Sequence, residues 1–208
     1  MRIRVKICGI TREQDAVSAA EAGADALSFV HWTRSPRAID AERARQIAAL
    51  LPPFVSTVAL FVDPSADEVR RVIDVLRPDL LQFHGEETPA FCSAFGVPYI
   101  KALAIDDRAP DAAALGYHAQ ARGLLLDSHD PQAIGGTGRA FDWTLAPHAQ
   151  GRRIVLAGGL NADNVARAIT LVRPWAVDVS SGVESAPGIK DEARVRAFMR
   201  AVAAAGTN

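Results

Sequence analysis

Short apolar segments alternate with amphipathic ones eight times along the 208-residue chain. The apolar segments are rich in Val, Ile and Leu and are bounded by turn residues, as buried strands usually are. Most of the segments between them repeat apolar residues at helical spacing. The predicted strands cover residues 2–7, 25–30, 55–62, 79–85, 98–103, 123–127, 153–157 and 175–179.

Strands that alternate with helices form a parallel sheet. Eight strand–helix units in about 200 residues favour closure of that sheet into a (β/α)8 barrel (TIM barrel), at the compact end of the size range of that fold. We therefore expect an α/β fold with a single domain over residues 1–208. The alternative is an open, doubly wound sheet, which is weakened because no G-x-G-x-x-G motif follows the first strand.

Three helix starts carry capping signals. Thr11 with Gln14 has the spacing of a capping box, Asp40 precedes the second helix, and Asn161 precedes the helix before the last strand. We expect each of these side chains to accept hydrogen bonds from the first backbone N–H groups of its helix.

Charge and hydropathy exclude several kinds of partner. The formal net charge is −1 and basic residues form no long run, so nucleic acid is not an expected partner. No 18-residue apolar stretch or signal peptide occurs, so we expect no membrane partner and a cytoplasmic location. The two cysteines could form one disulfide, but reduced cysteines in the cytoplasm fit the missing signal peptide better. A monomer is favoured over a homodimer.

The functional groups of a barrel gather at the carboxyl ends of its strands. The candidates at these ends are Cys8, Gln82, His84, Lys101, Asp127, Asp178 and Ser180. Gly158-Gly159 and Ser180-Ser181-Gly182 follow the last two strands, where this fold often binds phosphate. A single Gly-Gly pair would favour a simple tight turn, but two small-residue loops on adjacent strands favour phosphate. The sequence GGTG at 135–138 could complete that site or form a lid.

Cys8 can be interpreted in two ways. A cysteine at a strand end is more often a packed apolar residue than a catalyst. However, Cys8 shares a strand face with Lys6, whose charge would favour the thiolate, unless Asp178 on the neighbouring last strand pairs with Lys6. Asp127 ends an apolar strand, where it could cap a turn or act as an acid. From these residues alone, the two interpretations of Cys8 remain evenly balanced.

No His or Cys spacing typical of a metal site occurs, so no metal is expected. His84 could be a third titrating group, although a lone histidine usually serves as a hydrogen-bonding residue. Cys92 lies among apolar residues of a predicted helix and is expected in the core.

Taken together, the motifs resemble those of the phosphoribosylanthranilate isomerase family of tryptophan biosynthesis, nearly end to end. The motifs are KICGIT (6–11), RSPR (34–37), LQFHG (81–85), LLLD (124–127), GGTG (135–138) with FDW (141–143), AGGLN (157–161) and VDVSSGVE (177–184).

This resemblance implies a (β/α)8 barrel that performs a cofactor-free Amadori rearrangement of a small phosphorylated substrate. It implies Cys8 as general base and Asp127 as general acid, and it strengthens the catalytic interpretation of Cys8. Arg37 would hold the anthranilate carboxylate and Asp178 the sugar. His84 is a further candidate for substrate contact. The residues implied in phosphate binding are Gly136, Gly158, Gly159, Ser180, Ser181 and Gly182.

Three alternatives stay open at this point. A phosphate-binding barrel with other chemistry would be expected to carry Lys or Glu in the role of Cys8. A barrel that binds a phosphorylated metabolite without turnover would not need both Cys8 and Asp127. A bifunctional isomerase that also acts in histidine biosynthesis would usually carry Asp in the role of Cys8.

Overall fold

A computed structural model describes residues 2–105, 110–128, 141–146 and 151–206. Eight parallel strands follow one another in sequence order around a closed barrel, and the last strand pairs with the first. The predicted (β/α)8 barrel is confirmed. The strands are β1 (Arg4–Cys8), β2 (Ala26–Val30), β3 (Ser56–Phe61), β4 (Leu80–Phe83), β5 (Tyr99–Ile105), β6 (Gly123–Ser128), β7 (Ile154–Leu156) and β8 (Ala176–Val179).

Helices connect most of these strands. They are α1 (Glu13–Glu21), α2 (Ala41–Ala48), α3 (Ala66–Leu76), α4 (Pro89–Ser93), α5 (Ala112–Tyr117), α6 (Val165–Val172) and α7 (Glu192–Ala205). Single 3₁₀ turns occupy Trp143–Leu145 and Ser181–Val183. A small antiparallel hairpin of β9 (Glu184–Ala186) and β10 (Ile189–Lys190) lies between β8 and α7.

Strand residues point alternately to two apolar regions. The outward-facing side chains of the strands pack against the helices in the main core, which includes Leu124 and Leu126. The inward-facing side chains, such as Leu125 and Val155, form a smaller core that fills the barrel. A third cluster that contains Cys8, Val30 and Leu60 lies at the ends of their strands. The interior is therefore closed by apolar packing below the mouth, which leaves the mouth as the place for a ligand.

The predicted caps have different outcomes. Asp40 accepts a hydrogen bond from Arg43 N as predicted, at 2.6 Å. The capping box at Thr11 is wrong, because α1 starts after Arg12 and the Thr11 hydroxyl donates to the carbonyl of Gly188 in the hairpin instead. The Asn161 side chain accepts from the N–H groups of the turn that leads into α6, although the helix itself begins later at Val165.

Among the described residues, no helix has the length and apolar character needed to cross a membrane. Both cysteines are free and buried, as expected for a reduced chain, and Cys92 is packed in α4.

Candidate active site

A cavity opens at the carboxyl ends of the strands. Ten of the predicted candidate residues line it: Cys8, Arg37, Gln82, His84, Asp127, Gly158, Gly159, Asp178, Ser180 and Ser181. Gly182 does not line the cavity, and the predicted Gly136 lies outside the described residues. The barrel therefore assembles, from distant parts of the chain, most of the residues that the sequence singles out.

Cys8 is the last residue of β1 and is largely buried beside Ser28, its register partner on β2. Burial raises the pKa of the Cys8 thiol, and Asp178 raises it further. Lys6, Lys190 and Ser28 act in the opposite direction but do not cancel the effect of burial. Cys8 is therefore mainly a thiol at neutral pH, and its thiolate, when formed, is a strong base.

Lys6 and Asp178 form a buried ion pair inside the barrel. The distance from Lys6 Nζ to Asp178 Oδ1 is 2.9 Å, and the two residues are opposite each other in the β1–β8 register. The predicted pairing of these two side chains is thus confirmed. Although burial lowers the pKa of Lys6, Asp178 and Cys8 raise it by more, so Lys6 is charged.

Asp127 lies at the end of β6 and contacts two groups. Its Oδ1 accepts a hydrogen bond from Ser128 N at 2.8 Å, and its Oδ2 is 3.3 Å from His84 Nε2. His84 Nδ1 is in turn 3.2 Å from the amide nitrogen of Gln82, which is fully buried. In this amide orientation Gln82 donates to Nδ1, so the imidazole proton lies on Nε2 and faces Asp127. These three side chains form a chain that can orient the carboxyl group.

The loops after β7 and β8 approach each other closely. Gly158 and Gly159 both have positive φ, at 81° and 62°. A Cβ atom at Gly182, after β8, would overlap the carbonyl oxygen of Leu160, after β7, and one at Gly158 would lie 2.8 Å from Ser128 N at the end of β6. Only glycine allows this proximity. The 3₁₀ turn at Ser181–Val183 has no side-chain hydrogen bond at its N-terminal cap, and the N-terminal end of a helical turn suits an anion.

Arg37 is held on one side by an internal carboxylate that the sequence did not suggest. Its Nε and Nη2 donate to the two oxygens of Glu184, at 2.8 and 2.7 Å. Among the described residues, no hydrogen-bond acceptor meets the remaining terminal nitrogen, Nη1. Glu184 therefore occupies the Nε–Nη2 edge of the guanidinium, and the hydrogens on its Nη1 side are left for a ligand carboxylate.

Lys101 does not belong to this cavity. It points to the outside of the barrel, where its Nζ is 3.2 Å from Glu87 Oε2 and donates to backbone carbonyls. The prediction that Lys101 lies at the mouth is wrong. It relied on the position of Lys101 near the end of a strand and ignored the alternation of side chains, in which the neighbouring Ile100 faces inward.

Three residues near Cys8 escaped sequence reasoning: Ser28, Glu184 and Lys190. The Ser28 side chain is fully buried next to Cys8 and lowers the pKa of the Cys8 thiol. Pro187-Gly188 is a turn signal, and it could have revealed the hairpin that folds Lys190 back onto Glu184. Within the described ranges, no cluster of His, Cys, Asp and Glu is arranged to hold a metal ion.

Comparisons with known proteins converge on one family. The family model described as N-(5'phosphoribosyl)anthranilate (PRA) isomerase matches residues 5–201. An N-(5'-phosphoribosyl)anthranilate isomerase of Pseudomonas putida is 56% identical over 200 residues, which covers 96% of this chain and 97% of the relative.

Solved structures agree with this result. Phosphoribosyl anthranilate isomerase of Thermus thermophilus superposes with a TM-score of 0.87 at 40% identity, covering 97% of this chain and 99% of the other. A phosphoribosyl anthranilate isomerase in complex with reduced 1-(O-carboxyphenylamino)-1-deoxyribulose 5-phosphate has a TM-score of 0.80 at 37% identity, covering 96% and 98%. Mutually generated monomers of the dimeric phosphoribosylanthranilate isomerase of Thermotoga maritima have a TM-score of 0.80 at 35% identity, with the same coverage.

Proposed function

Because this chain belongs to the family of N-(5'-phosphoribosyl)anthranilate isomerases of tryptophan biosynthesis, we propose that Cys8 is its general base and Asp127 its general acid. The reaction would convert N-(5'-phosphoribosyl)anthranilate, an aminoaldose, into 1-(2-carboxyphenylamino)-1-deoxyribulose 5-phosphate, an aminoketose. The observation that carries the proposal is that both side chains line one cavity together with Arg37 and the two glycine-containing loops.

The proposed first step opens the sugar ring. Asp127 gives a proton to the ring oxygen, the bond between that oxygen and C1′ breaks, and the nitrogen lone pair forms a protonated Schiff base. His84 and Ser128 N hold the two oxygens of Asp127 and thereby orient its carboxyl group. A positioned acid of this kind contributes typically 10² to 10⁴ in rate.

The second step removes the proton from C2′. The neighbouring iminium makes that proton acidic, and the Cys8 thiolate takes it to give an enolamine, which tautomerises to the ketone. Because burial raises the pKa of Cys8, the thiolate is scarce but strongly basic. A positive charge on the bound Schiff base would favour the thiolate at this stage of the reaction.

Binding would depend on the two ends of the substrate that do not react. The loops at Gly158-Gly159 and Ser180-Ser181-Gly182 are proposed to hold the phosphate, with Gly136, while Asp178 contacts the sugar. The structure in complex with the reduced product supports a ligand of this size for that homologue. Arg37 is proposed to bind the anthranilate carboxylate through Nη1, since Glu184 occupies its other face. The monomeric state expected from the sequence stays a prediction, and the dimeric homologue makes sedimentation equilibrium the natural measurement.

The test is a fluorescence assay without added metal or cofactor. Anthranilate, phosphoribosyl pyrophosphate and the corresponding transferase generate the substrate, and its fluorescence is followed after this protein is added. We expect a fast decrease with the wild type. Cys8→Ser and Asp127→Asn should each lower kcat by roughly 10² to 10⁴ while leaving KM within a few-fold. Near-normal turnover in either variant would refute the role proposed for that residue.

A further inference from the structure

We propose that the buried pair of Lys190 and Glu184 positions Cys8, Arg37 and Ser180 relative to one another and controls the charge around Cys8. Neither residue lines the cavity, so both would be positioning residues and not catalytic ones. This proposal rests on the function proposed above for Cys8 and Arg37.

Lys190 joins the ends of two strands. Its side chain is 1% exposed, and its Nζ donates to the Cys8 carbonyl at 2.5 Å, to Glu184 Oε1 at 2.8 Å and to the Ser180 carbonyl at 3.3 Å. An ammonium group has three N–H donors, and here each one has an acceptor. The backbone of the proposed base and that of the proposed phosphate loop are therefore tied to the same buried cation.

Glu184 extends this connection to Arg37. Its Oε1 accepts from Arg37 Nε, from Lys190 Nζ and from Gly188 N, and its Oε2 accepts from Arg37 Nη2. The bidentate contact fixes the plane of the guanidinium. It also fixes the direction of Nη1, the nitrogen proposed to meet the substrate carboxylate.

The hairpin that carries the pair is itself attached to the first strand–helix unit. Asp15 of α1 accepts a hydrogen bond from Lys190 N at 3.0 Å, and Arg12 donates to the Lys190 carbonyl at 3.2 Å. Thr11 donates to the Gly188 carbonyl. Because these contacts hold the hairpin against the segment that follows Cys8, the ammonium group of Lys190 has little freedom to move.

The charges around Cys8 explain why an ion pair is used here. Lys6 and Asp178 neutralise each other, whereas Arg37, Glu184 and protonated Lys190 together carry one net positive charge. Burial lowers the pKa of Lys190, and Glu184 and Cys8 oppose that effect. The pKa of Glu184 stays below its ordinary value: burial raises it, but Arg37 and Lys190 lower it by more. Replacing a buried ion pair with apolar residues is often neutral or stabilising, so stability alone is a weak reason for this arrangement. A net positive group beside a thiol favours the thiolate.

The experiment measures the ionisation of Cys8 directly. The rate of alkylation by iodoacetamide is followed against pH in a Cys92→Ala background, where Cys8 is the only thiol. In Lys190→Met the net charge of the trio formed by Arg37, Glu184 and residue 190 becomes zero. The midpoint of the pH dependence of Cys8 alkylation should therefore move to higher pH by roughly one unit. We also expect kcat/KM at neutral pH to fall roughly tenfold. In Glu184→Gln the trio becomes more positive, so the midpoint should move to lower pH.

Lys101→Met is the matched control. Lys101 is also a buried lysine paired with a glutamate and bonded to backbone carbonyls, but it lies on the outer face of the barrel. This variant should lose stability without moving the Cys8 midpoint. If Lys190→Met fails to fold, Glu184→Gln alone decides, since a purely structural role predicts no shift to lower pH.

The proposal is overturned if Glu184→Gln leaves the midpoint unchanged or raises it, or if Lys101→Met moves it as far as Lys190→Met does. Alkylation needs no substrate, so its outcome is separate from that of the isomerase assay. If the wild type is inactive in the isomerase assay but the two variants shift the alkylation midpoint in opposite directions, the proposed function is refuted. The proposed control of the charge around Cys8 then still holds.

Discussion

At the scale of single residues, Arg37 makes a contact with Glu184 inside the protein and is proposed to bind the substrate carboxylate as well. Its Nε and one hydrogen of Nη2 bind Glu184, which leaves the Nη1 side of the guanidinium for a ligand. Lysine cannot reproduce this planar fork, so Arg37→Lys should break the contact with Glu184 and misplace the positive charge. We expect KM to rise by roughly 10- to 100-fold, with a smaller effect on kcat.

Steady-state kinetics would check this expectation, with Arg34→Lys as the control. Arg34 belongs to the same loop but is exposed, and its guanidinium lies over the face of Trp32, 5.5 Å from the ring centre. Its substitution should leave KM within about twofold. A normal KM in Arg37→Lys would show that Arg37 does not bind the substrate carboxylate.

Single residues at the site were predictable where their position follows from the strand pattern. Cys8, Asp127 and Asp178 end or nearly end apolar strands, and parity alone predicts that Lys6 faces Asp178 across the β1–β8 junction. The contact between Arg37 and Glu184 joins residues 147 positions apart, outside any strand pattern. Such a pairing depends on how the loop after β2 packs against the hairpin, and no local pattern in the sequence encodes it.

At the scale of elements, the loops after β7 and β8 form one unit because Gly182 has no room for a side chain. A Cβ atom there would overlap the Leu160 carbonyl oxygen. Gly182→Ala should therefore push the two loops apart and disturb the proposed phosphate site. A displacement of about 1 Å can cost roughly 10²-fold, and we expect a loss of this order in kcat/KM.

Gly116→Ala provides the comparison for this prediction. Gly116 lies in α5, where the space that a methyl group would fill is open and φ is not positive, so alanine fits there without strain. Its kinetics should match the wild type. Equal kinetics in Gly182→Ala would mean that the close packing of the loops does not matter for the phosphate.

The elements themselves were predicted to within a few residues, because burial on both sides makes parallel strands continuous apolar runs. The capping box at Thr11 failed for a tertiary reason: the hairpin offers its hydroxyl a better partner, the Gly188 carbonyl. The hairpin was missed because β9 and β10 are very short and β10 contains only Ile189 and Lys190. Short polar strands carry too little pattern to be recognised.

At the scale of the whole molecule, the eight alternating strand–helix units were enough to predict that the sheet closes into a barrel, since one barrel buries both faces of all the strands at once. The buried polar groups were not predictable from that alternation. One of them, His31, follows β2 and has a consequence for the stability of the entire fold. Its Nε2 is buried with no hydrogen-bond partner in the described part of the chain, and its ring lies 5.6 Å from that of Phe61.

Burial lowers the pKa of His31 from 6.5 to about 4, against the weaker opposite effects of Ile39 and Asp40. The unfolded chain therefore takes up a proton below pH 6.5, whereas the folded chain does so only near pH 4. Stability is fully present above pH 6.5 and is lost as the pH falls to about 4, by up to roughly 3 kcal/mol. His118, whose pKa is also lowered by burial, contributes in the same direction.

Urea unfolding at pH 7, 6, 5 and 4, for the wild type and for His31→Gln, isolates the contribution of His31. Glutamine does not titrate, and His118 and the carboxylates remain in both proteins, so their effects cancel in the difference. The wild type should lose up to roughly 3 kcal/mol more than His31→Gln between pH 7 and pH 4. Parallel curves would mean that His31 takes up its proton equally well in the folded barrel, which its apolar surroundings beside Phe61 oppose.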